Sequence, residues 1–599
     1  MSKLAKIRYV GFLLRPYWKY GRLYMVVSIV MAAVFSPLSS VLTALLPESA
    51  INAVMEHRPT SEIIATVALF TLGIAIVAVV QSFIQQTYST IAQIKIQTKI
   101  EYEINYKALH TDFKYYDSPE FFNNFSFAQQ SYTNYASQAQ WVVPQLIQSI
   151  VTALAMGAII AQAGPVLLVV TLVFIALQTA LTLPTTKLSL ELSMSMNELS
   201  RPLSYVTRVI QQKENAAEMR SSRAGEKLLQ NYSDVYDNYL SVFFKYILKT
   251  LKFNIPNQFL MPIQTSVVLL FIIIFVIDGD TSRIGMYASL TLATGTLAAN
   301  ISIFFNTFAQ LFEYTVYGER IAKVFETKSV IEPAPAPPDA VPAPDGQYSV
   351  EFKDMSFGYE GAKFGIEGLN LAIPAGGRIA IVGENGAGKS TLTKLLLRLY
   401  DVDSGSVMIN GRDIREYDIH ALRRKIGIAY QDVRVLAMSL RANLTAYNDA
   451  TDEQLSEIMA KLGLEEVLDK IGGDFDTMVS REFTEDGAVL SGGEAQRIAI
   501  ARLFTGPFGL LLLDEPSSAL DPLAEYNLMK LILDKANTAT TIMVAHRLST
   551  VRDFDVIYHI ENGKVIETGT HDELMDAKGK YYLMFTRQAE NYQVEEQPL

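Results

Sequence analysis

The pattern of apolar and polar positions divides the chain into two parts of different kind. In the first, six stretches approach or exceed the roughly 20 apolar residues a helix needs to cross about 30 Å of hydrocarbon. They are Leu23–Leu46, Ile63–Ile84, Val142–Ala161, Val166–Leu183, Phe259–Ile277 and Ile284–Leu311. Any one alone reads equally as a buried core helix; six before residue 312 read as membrane spans. Residues 85–140 and 185–258 between them are long and polar, with almost no Gly or Pro inside 185–255. Unstructured loops of that length are uncommon in compact domains. Each segment is therefore predicted to carry two membrane helices onward as an antiparallel pair. The turns at the tips are expected near Tyr115–Asn124 (YYDSPEFFNN) and Lys213–Arg223 (KENAAEMRSSR).

A Pro-rich run, Ile331–Gln347, follows the last span. It cannot form a helix or a central strand and reads as an extended linker. The expected organisation is a membrane domain over 1–330, a linker over 331–347 and a second domain over 348–599.

Charge separates the same two parts. Residues 1–330 hold 25 Lys+Arg and 20 Asp+Glu, a balance of +5, and residues 331–599 hold 26 and 42, a balance of −16. All but two of the 25 basic residues flank the spans on one side. The short opposite loops hold only Arg58 and Arg283 beside Glu48, Glu56, Glu62, Asp278 and Asp280. Basic residues stay on the cytoplasmic side, so both termini and the long polar segments are expected there. No basic tail points to nucleic acid. The 599 residues include no cysteine, which excludes disulfides, thiolate metal sites and a thiol nucleophile. The N-terminus lacks a short apolar region with a small-residue cleavage site, so no removable signal peptide is expected.

The chemistry lies in the acidic part. The apolar Arg378–Val382 runs into Gly383, Glu384, Asn385, Gly386, Ala387, Gly388, Lys389 and Ser390, and then Thr391 opens a helical stretch. This is Gly-x-x-x-x-Gly-Lys-Ser/Thr in the strand–loop–helix setting that gives it meaning. Its glycines let backbone N–H groups approach phosphate, Lys389 reaches the β- and γ-phosphates, and Ser390 serves Mg²⁺. Downstream, Leu510–Leu513 ends in Asp514 and Glu515. A buried strand would deliver Asp514 to the Mg²⁺ shell. Glu515, one residue on and turned the other way by the pleat, would polarise an attacking water as general base. Between these segments, Ser491, Gly492, Gly493 and Glu494 open a helix. That start is either a second anion site or a simple N-capped helix.

With these residues in place, 351–585 resembles the nucleotide-binding domain of ATP-binding-cassette (ABC) transporters. LSGGE resembles the signature sequence, which usually ends in Gln rather than Glu. The resemblance adds roles that spacing alone does not give. Tyr359 would stack on adenine, Gln431 would be the Q-loop glutamine, Asp521 would belong to the D-loop, and His546 would be the switch histidine. With six spans ahead, the chain resembles an exporter-type half-transporter. The fold it implies is an α-helical six-span transmembrane domain plus an α/β P-loop nucleotide-binding domain. The activity it implies is ATP-driven export by alternating access. The implied cofactors are ATP and Mg²⁺, and the implied place is a bacterial cytoplasmic membrane. ATP in that family sits between the phosphate loop of one cassette and the signature of the other, so a second chain, expected to be identical, completes each site. Catalytic roles fall to Glu515, His546 and Gln431, and metal roles to Ser390, Gln431 and Asp514.

One stretch departs from the exporter pattern: Thr484-Glu485-Asp486-Gly487 stands where Gly-Glu-Arg-Gly is common. An ATP-gated channel or regulator and an importer on the same fold remain alternatives. Glu515 and His546 favour turnover, and six spans exclude a soluble DNA-handling ATPase. For cargo, Asn300, Asn306 and Gln310 recur at helical spacing beside Phe304, Phe305 and Phe308, with Glu313 near the inner end of the last span. That pattern serves either interhelical hydrogen bonding or an amphipathic cargo. Peptide, lipid and drug-like molecules stay open, and YYDSPEFFN bears a slight likeness to bacterial peptide and lantibiotic exporters.

Overall fold

The computed structural model describes residues 8–162, 165–277, 284–331, 341–361, 365–431, 434–483, 485, 487–516 and 522–593. They form two compact units, one of residues 1–109 with 119–327 and one of 110–118 with 328–599.

The first unit is helical. Five of its described helical segments are long and apolar enough to cross a membrane: Arg22–Met55, Thr60–Leu109, Pro119–Gln162, Pro165–Ser189 and Ile284–Glu326. The sixth expected span, Phe259–Ile277, is the C-terminal part of the 54-residue helix Ala224–Ile277. At 1.5 Å per residue that helix is about 80 Å long, well over twice the thickness of the hydrocarbon. It packs against the similarly long Pro165–Gln211, and both helices continue well beyond their apolar spans into the polar sequence, as the polar spacing predicts. The helix Ile284–Glu326 packs against Val142–Gln162 and Ser36–Met55. Apolar side chains also point outward: Leu69 is 70% exposed, Val79 67% and Phe83 65%. A helix with leucine, valine and phenylalanine on its outer face has lipid for a solvent. The chain is a multi-pass membrane protein.

The tips differ slightly from expectation. The second is a short helix, Lys213–Ser221, inside the predicted range. The first is a single tight turn, Phe113–Asp117, and the next helix already begins at Pro119. Proline lacks the N–H that a first helical residue cannot use, so it starts a helix early. Residues 110–118 belong to the second unit. There the buried Asp112 carboxylate accepts the N–H groups of Val330 and Ile331 at 2.9 and 3.0 Å, and the Asp117 carboxylate accepts the Tyr400 hydroxyl.

The second unit is α/β. A four-stranded antiparallel sheet runs β2-β1-β4-β5, from β1 (Val350–Phe357), β2 (Ile366–Ile373), β4 (Ser404–Ile409) and β5 (Arg412–Asp413). A six-stranded sheet runs β10-β9-β3-β8-β7-β6. Its strands are β3 (Arg378–Val382), β6 (Ile426–Ala429), β7 (Leu510–Asp514), β8 (Thr540–Val544), β9 (Val556–Glu561) and β10 (Lys564–Gly569). From β9 to β6 the pairing is parallel, and β10 is antiparallel. All residues of β7 and β8 are buried, as a sheet covered on both faces requires. Alternation splits each strand between two cores: Leu511, Leu513, Met543, Ala380 and Val382 face one, and Leu510, Leu512, Ile542, Ile379 and Ile381 face the other.

Of the Pro-rich run, residues 332–340 lie outside the described residues. The part that follows is pinned to the cassette. Val341 exchanges backbone hydrogen bonds with Glu416 and Asp418 at 2.9 Å, and the Tyr348 hydroxyl donates to Pro344 O at 2.7 Å.

Candidate functional site

Four adjacent parallel strands deliver the chemistry to one edge of the sheet. In spatial order β3, β8, β7 and β6, their C-terminal ends lead into Gly383–Ser390, His546, Asp514 with Glu515, and Gln431. The carboxyl ends of parallel strands are where open α/β sheets bind ligands. Residues distant in sequence meet there because strand order, not chain order, sets who is neighbour.

The phosphate loop needs its glycines for two separate reasons. Gly383 has φ +150°, and a Cβ there would lie 2.1 Å from Ile560 O, so β9 approaches too closely for any side chain. Gly386 and Gly388 have φ +81° and +98°, a region L-residues rarely adopt. Gly388 then caps the helix Lys389–Leu396, so its first N–H groups open toward the loop. Glu384 and Asn385 are exposed, Ala387 is buried, and Thr391 lies on the helix.

Two buried charges meet at this site, one in the loop and one at the end of β7. Lys389 is 5% exposed, and its ammonium donates to Gly383 O and Glu384 O, both at 2.9 Å. Burial pulls its pKa below that of an ordinary lysine, against the raising effect of Glu515 and Asp514. The Asp514 carboxyl is pushed the other way. Burial raises its pKa, although the Ser390 hydroxyl donates to it at 3.3 Å and Lys389 is near. A buried ammonium suits an anion, and a buried carboxylate suits a cation. A phosphate carrying Mg²⁺ supplies both. Ser390 and Asp514 are hard oxygen donors side by side. That fits Mg²⁺, which takes one or two protein oxygens and fills the rest from phosphate and water.

Glu515 is placed differently from the expectation. The strand ends at Asp514, and Glu515 adopts φ +50°, the left-handed region. A turn therefore aims its side chain, and pleat alternation does not. Such a conformation costs on the order of 1–3 kcal/mol and persists only where surroundings enforce it. Here the Glu515 N–H is held by Val544 O at 3.1 Å. The turned carboxylate meets both other expected catalytic groups. Gln431 Nε2 donates to Glu515 Oε2 at 3.0 Å, and His546 Nε2 lies 2.6 Å from Glu515 Oε1.

Tyr359 stands half-buried after β1. Its ring meets Phe357 and Tyr400 edge-on, with centroids 5.0 and 5.3 Å apart, and Lys394 Nζ lies 5.3 Å from its centroid. Its hydroxyl lies 3.4 Å from Thr391 Oγ1. Tyr400, which burial holds well above the usual phenol range, is braced in turn by Phe113 edge-on at 5.7 Å. If the ring stacks on adenine, Tyr359→Ala should raise the ATP concentration for half-maximal hydrolysis several-fold, since base stacking is worth roughly 1–3 kcal/mol. Tyr359→Phe should change it little. Steady-state titration with ATP separates the two, and equal damage from Phe and Ala would assign the role to the hydroxyl instead.

Ser491, Gly492 and Gly493 stand at the start of the helix Gly492–Ala501. Ser491 Oγ accepts the Glu494 N–H at 3.2 Å, and Glu494 Oε2 accepts the Ser491 N–H at 2.7 Å. This reciprocal pair is the capping box of a helix start. The Glu494 carboxylate is turned inward and also accepts from Lys470. Thr484, Asp486 and Asp521 lie outside the described residues, and Glu485 is exposed.

Several positions carry no signal in the sequence. The Gln588 amide donates to His546 O at 2.8 Å and accepts from Leu548 N–H at 2.9 Å, clamping the histidine loop from the C-terminal helix. Tyr400 and Lys470 likewise act on site residues far from them in sequence. Only the folded contacts reveal them.

Comparison with known proteins places this geometry. Residues 366–518 match the ABC transporter domain family, covering the phosphate loop, Gln431, the Ser491 turn and Glu515. The chain is 41% identical over 253 residues to a putative multidrug export ATP-binding/permease protein of Bacillus subtilis, covering 42% of this chain and 43% of that one. It is 35% identical over 271 residues to an ATP-dependent lipid A-core flippase of Desulfotalea psychrophila, covering 45% and 46%. The matched regions thus span less than half the length of these relatives. Among solved structures, a bacterial Atm1-family ABC exporter with ATP bound superposes with a TM-score of 0.77, 21% identity, and coverage of 94% of this chain and 98% of that one. The fold is that of ABC exporters, and the second unit carries an ATP-binding domain that uses Mg²⁺.

Proposed function

We propose that this chain, with an ABC transporter domain at residues 366–518, is one half of an ATP-driven exporter. It works as a homodimer in a bacterial cytoplasmic membrane, with both termini in the cytoplasm. The observation that carries this reading is the convergence of Lys389, Asp514, Glu515, Gln431 and His546 at the ends of four adjacent strands in a multi-pass membrane chain.

The residues divide the work of phosphoryl transfer, which is mostly positioning and charge stabilisation. Lys389 meets the β- and γ-phosphates from inside the loop. Ser390 and Asp514 would hold Mg²⁺, which would supply positive charge beside the phosphate oxygens. Glu515 accepts the proton of the attacking water, while His546 and Gln431 fix its carboxylate from two sides. Ser491 of the partner subunit closes the site. ATP then favours the closed pair of cassettes because it binds that state far better than the open one. Residues 110–118 lie against the cassette and continue directly into two membrane helices, which supports them as the lever that carries closure outward.

An amphipathic cargo suits the last span. Asn306 and Gln310 are exposed on the helix Ile284–Glu326, beside the Phe304–Phe305–Phe308–Phe312 ring series. A polar side chain on the outer face of a membrane helix faces a partner or a water-filled cavity rather than lipid. Asn300 instead bonds its own helix at Thr296 O, a packing role.

The test is transport in inverted vesicles supplied with candidate peptides, lipids and amphipathic drugs. A cargo that stimulates ATPase activity should accumulate inside, and Glu515→Gln should abolish accumulation. Movement the other way would identify an importer, and flux without turnover would identify a channel.

A further inference from the structure

We propose that Lys470 is a positioning residue for the ATP site: its ammonium holds and neutralises Glu494 behind the Ser491–Gly493 turn, so that this turn presents only donors to phosphate. The proposal rests on the reading that the Ser491 turn meets the nucleotide of the partner subunit.

The geometry is specific. Glu494 is the third residue of its helix and is 7% exposed. One carboxylate oxygen accepts the Ser491 N–H at 2.7 Å, and the other accepts Lys470 Nζ at 2.5 Å. The cap occupies the N–H groups of Ser491 and Glu494. The first two helical N–H groups, of Gly492 and Gly493, have no partner within the helix. A Cβ at Gly492 would meet nothing within 4 Å, so the turn is open to an approaching ligand.

The same carboxylate creates a conflict. A glutamine here would make both arms of the cap without charge. A glutamate places a full negative charge, poorly reached by water, directly behind donors meant for phosphate. It is charged at neutral pH: burial raises its proton affinity, but the bonds from Lys470 and Ser491 outweigh that and bring its pKa below the usual carboxylate value. Lys470, the last residue of the helix Glu465–Lys470, supplies the missing countercharge from a separate element. Its side chain is 48% exposed, so truncating it removes charge with little packing.

The experiment titrates ATP against hydrolysis by the full-length dimer in lipid. Lys470→Met should raise the half-saturating ATP concentration about tenfold, the scale expected for an uncompensated charge within several ångström of a phosphate. The maximal rate should stay within about twofold. Lys470→Arg should behave as wild type, and Glu494→Gln added to Lys470→Met should restore the original ATP requirement. A merely structural role for Lys470 would not be rescued by neutralising Glu494. An unchanged requirement in Lys470→Met, or an increase that Glu494→Gln does not reverse, overturns the proposal. Ser491→Arg in parallel separates the two levels. If it hydrolyses ATP normally, the partner-site reading fails and the proposal fails with it. If it is inactive while Lys470→Met is unaffected, only the role of Lys470 is overturned.

Discussion

Glu515→Gln should slow ATP hydrolysis at least ~100-fold, the range expected for loss of a general base, while ATP binding persists and the cassettes stay closed around it. The structure isolates the lesion. Glutamine has nearly the same shape, and the backbone at this position is held by Val544 O, not by the side chain. An amide oxygen still accepts one of the two bonds that Gln431 and His546 make. What disappears is basicity at the one carboxylate that a left-handed turn pushes out beyond the end of β7. Lys389, Ser390 and the loop glycines are untouched, so affinity should hold. Filter binding of labelled ATP, single-turnover hydrolysis and crosslinking of the closed pair together check the expectation. Near-normal turnover would remove Glu515 from the role of base.

Chains carrying Ser491→Arg or Lys389→Ala should each be inactive alone, yet regain ATPase activity when mixed. Lys389→Ala removes the buried ammonium and strands the two carbonyls it satisfies. Ser491→Arg puts a long side chain at an exposed helix start whose neighbour Gly492 leaves open space. Neither change reaches into the domain core. If each site joins Lys389 of one chain to Ser491 of the other, a mixed dimer gathers both lesions in one site and leaves the other site intact. Random exchange in a two-fold dimer then returns roughly a quarter of wild-type activity at most. No recovery would mean that both sites must be whole for turnover or that the site is not shared. Crosslinking across the nucleotide decides between these, and a fully active monomer would end the shared-site reading.

Much of the molecule is legible in the sequence because the signals are local. Spans announce themselves by about 20 apolar residues in a row, whatever packs beside them. The loop Gly383–Ser390 is legible because positive-φ backbone leaves a glycine pattern no other constraint imitates. The capping serine and glutamate of the 491–494 turn sit three residues apart, so their bond can be foreseen from spacing.

What the sequence by itself made legible, then, is the apolar spans, the phosphate loop and the acidic pair Asp514–Glu515, while Gln431 and His546 were marked only by the resemblance. Tertiary structure alone decided where they stand. It set the strand order that brings Gln431 and His546 to opposite oxygens of Glu515. It replaced the expected pleat with a left-handed turn at Glu515, whose N–H meets Val544 O from a neighbouring strand that no local pattern places beside it. It joined residues 110–118 to the cassette and set Tyr400 between them and Tyr359. It also gave Glu494 its cation. Lys470 is 24 residues away, and a half-exposed lysine carries no mark of its partner until the chain folds, because charge pairing depends on distance in space and not on separation along the chain.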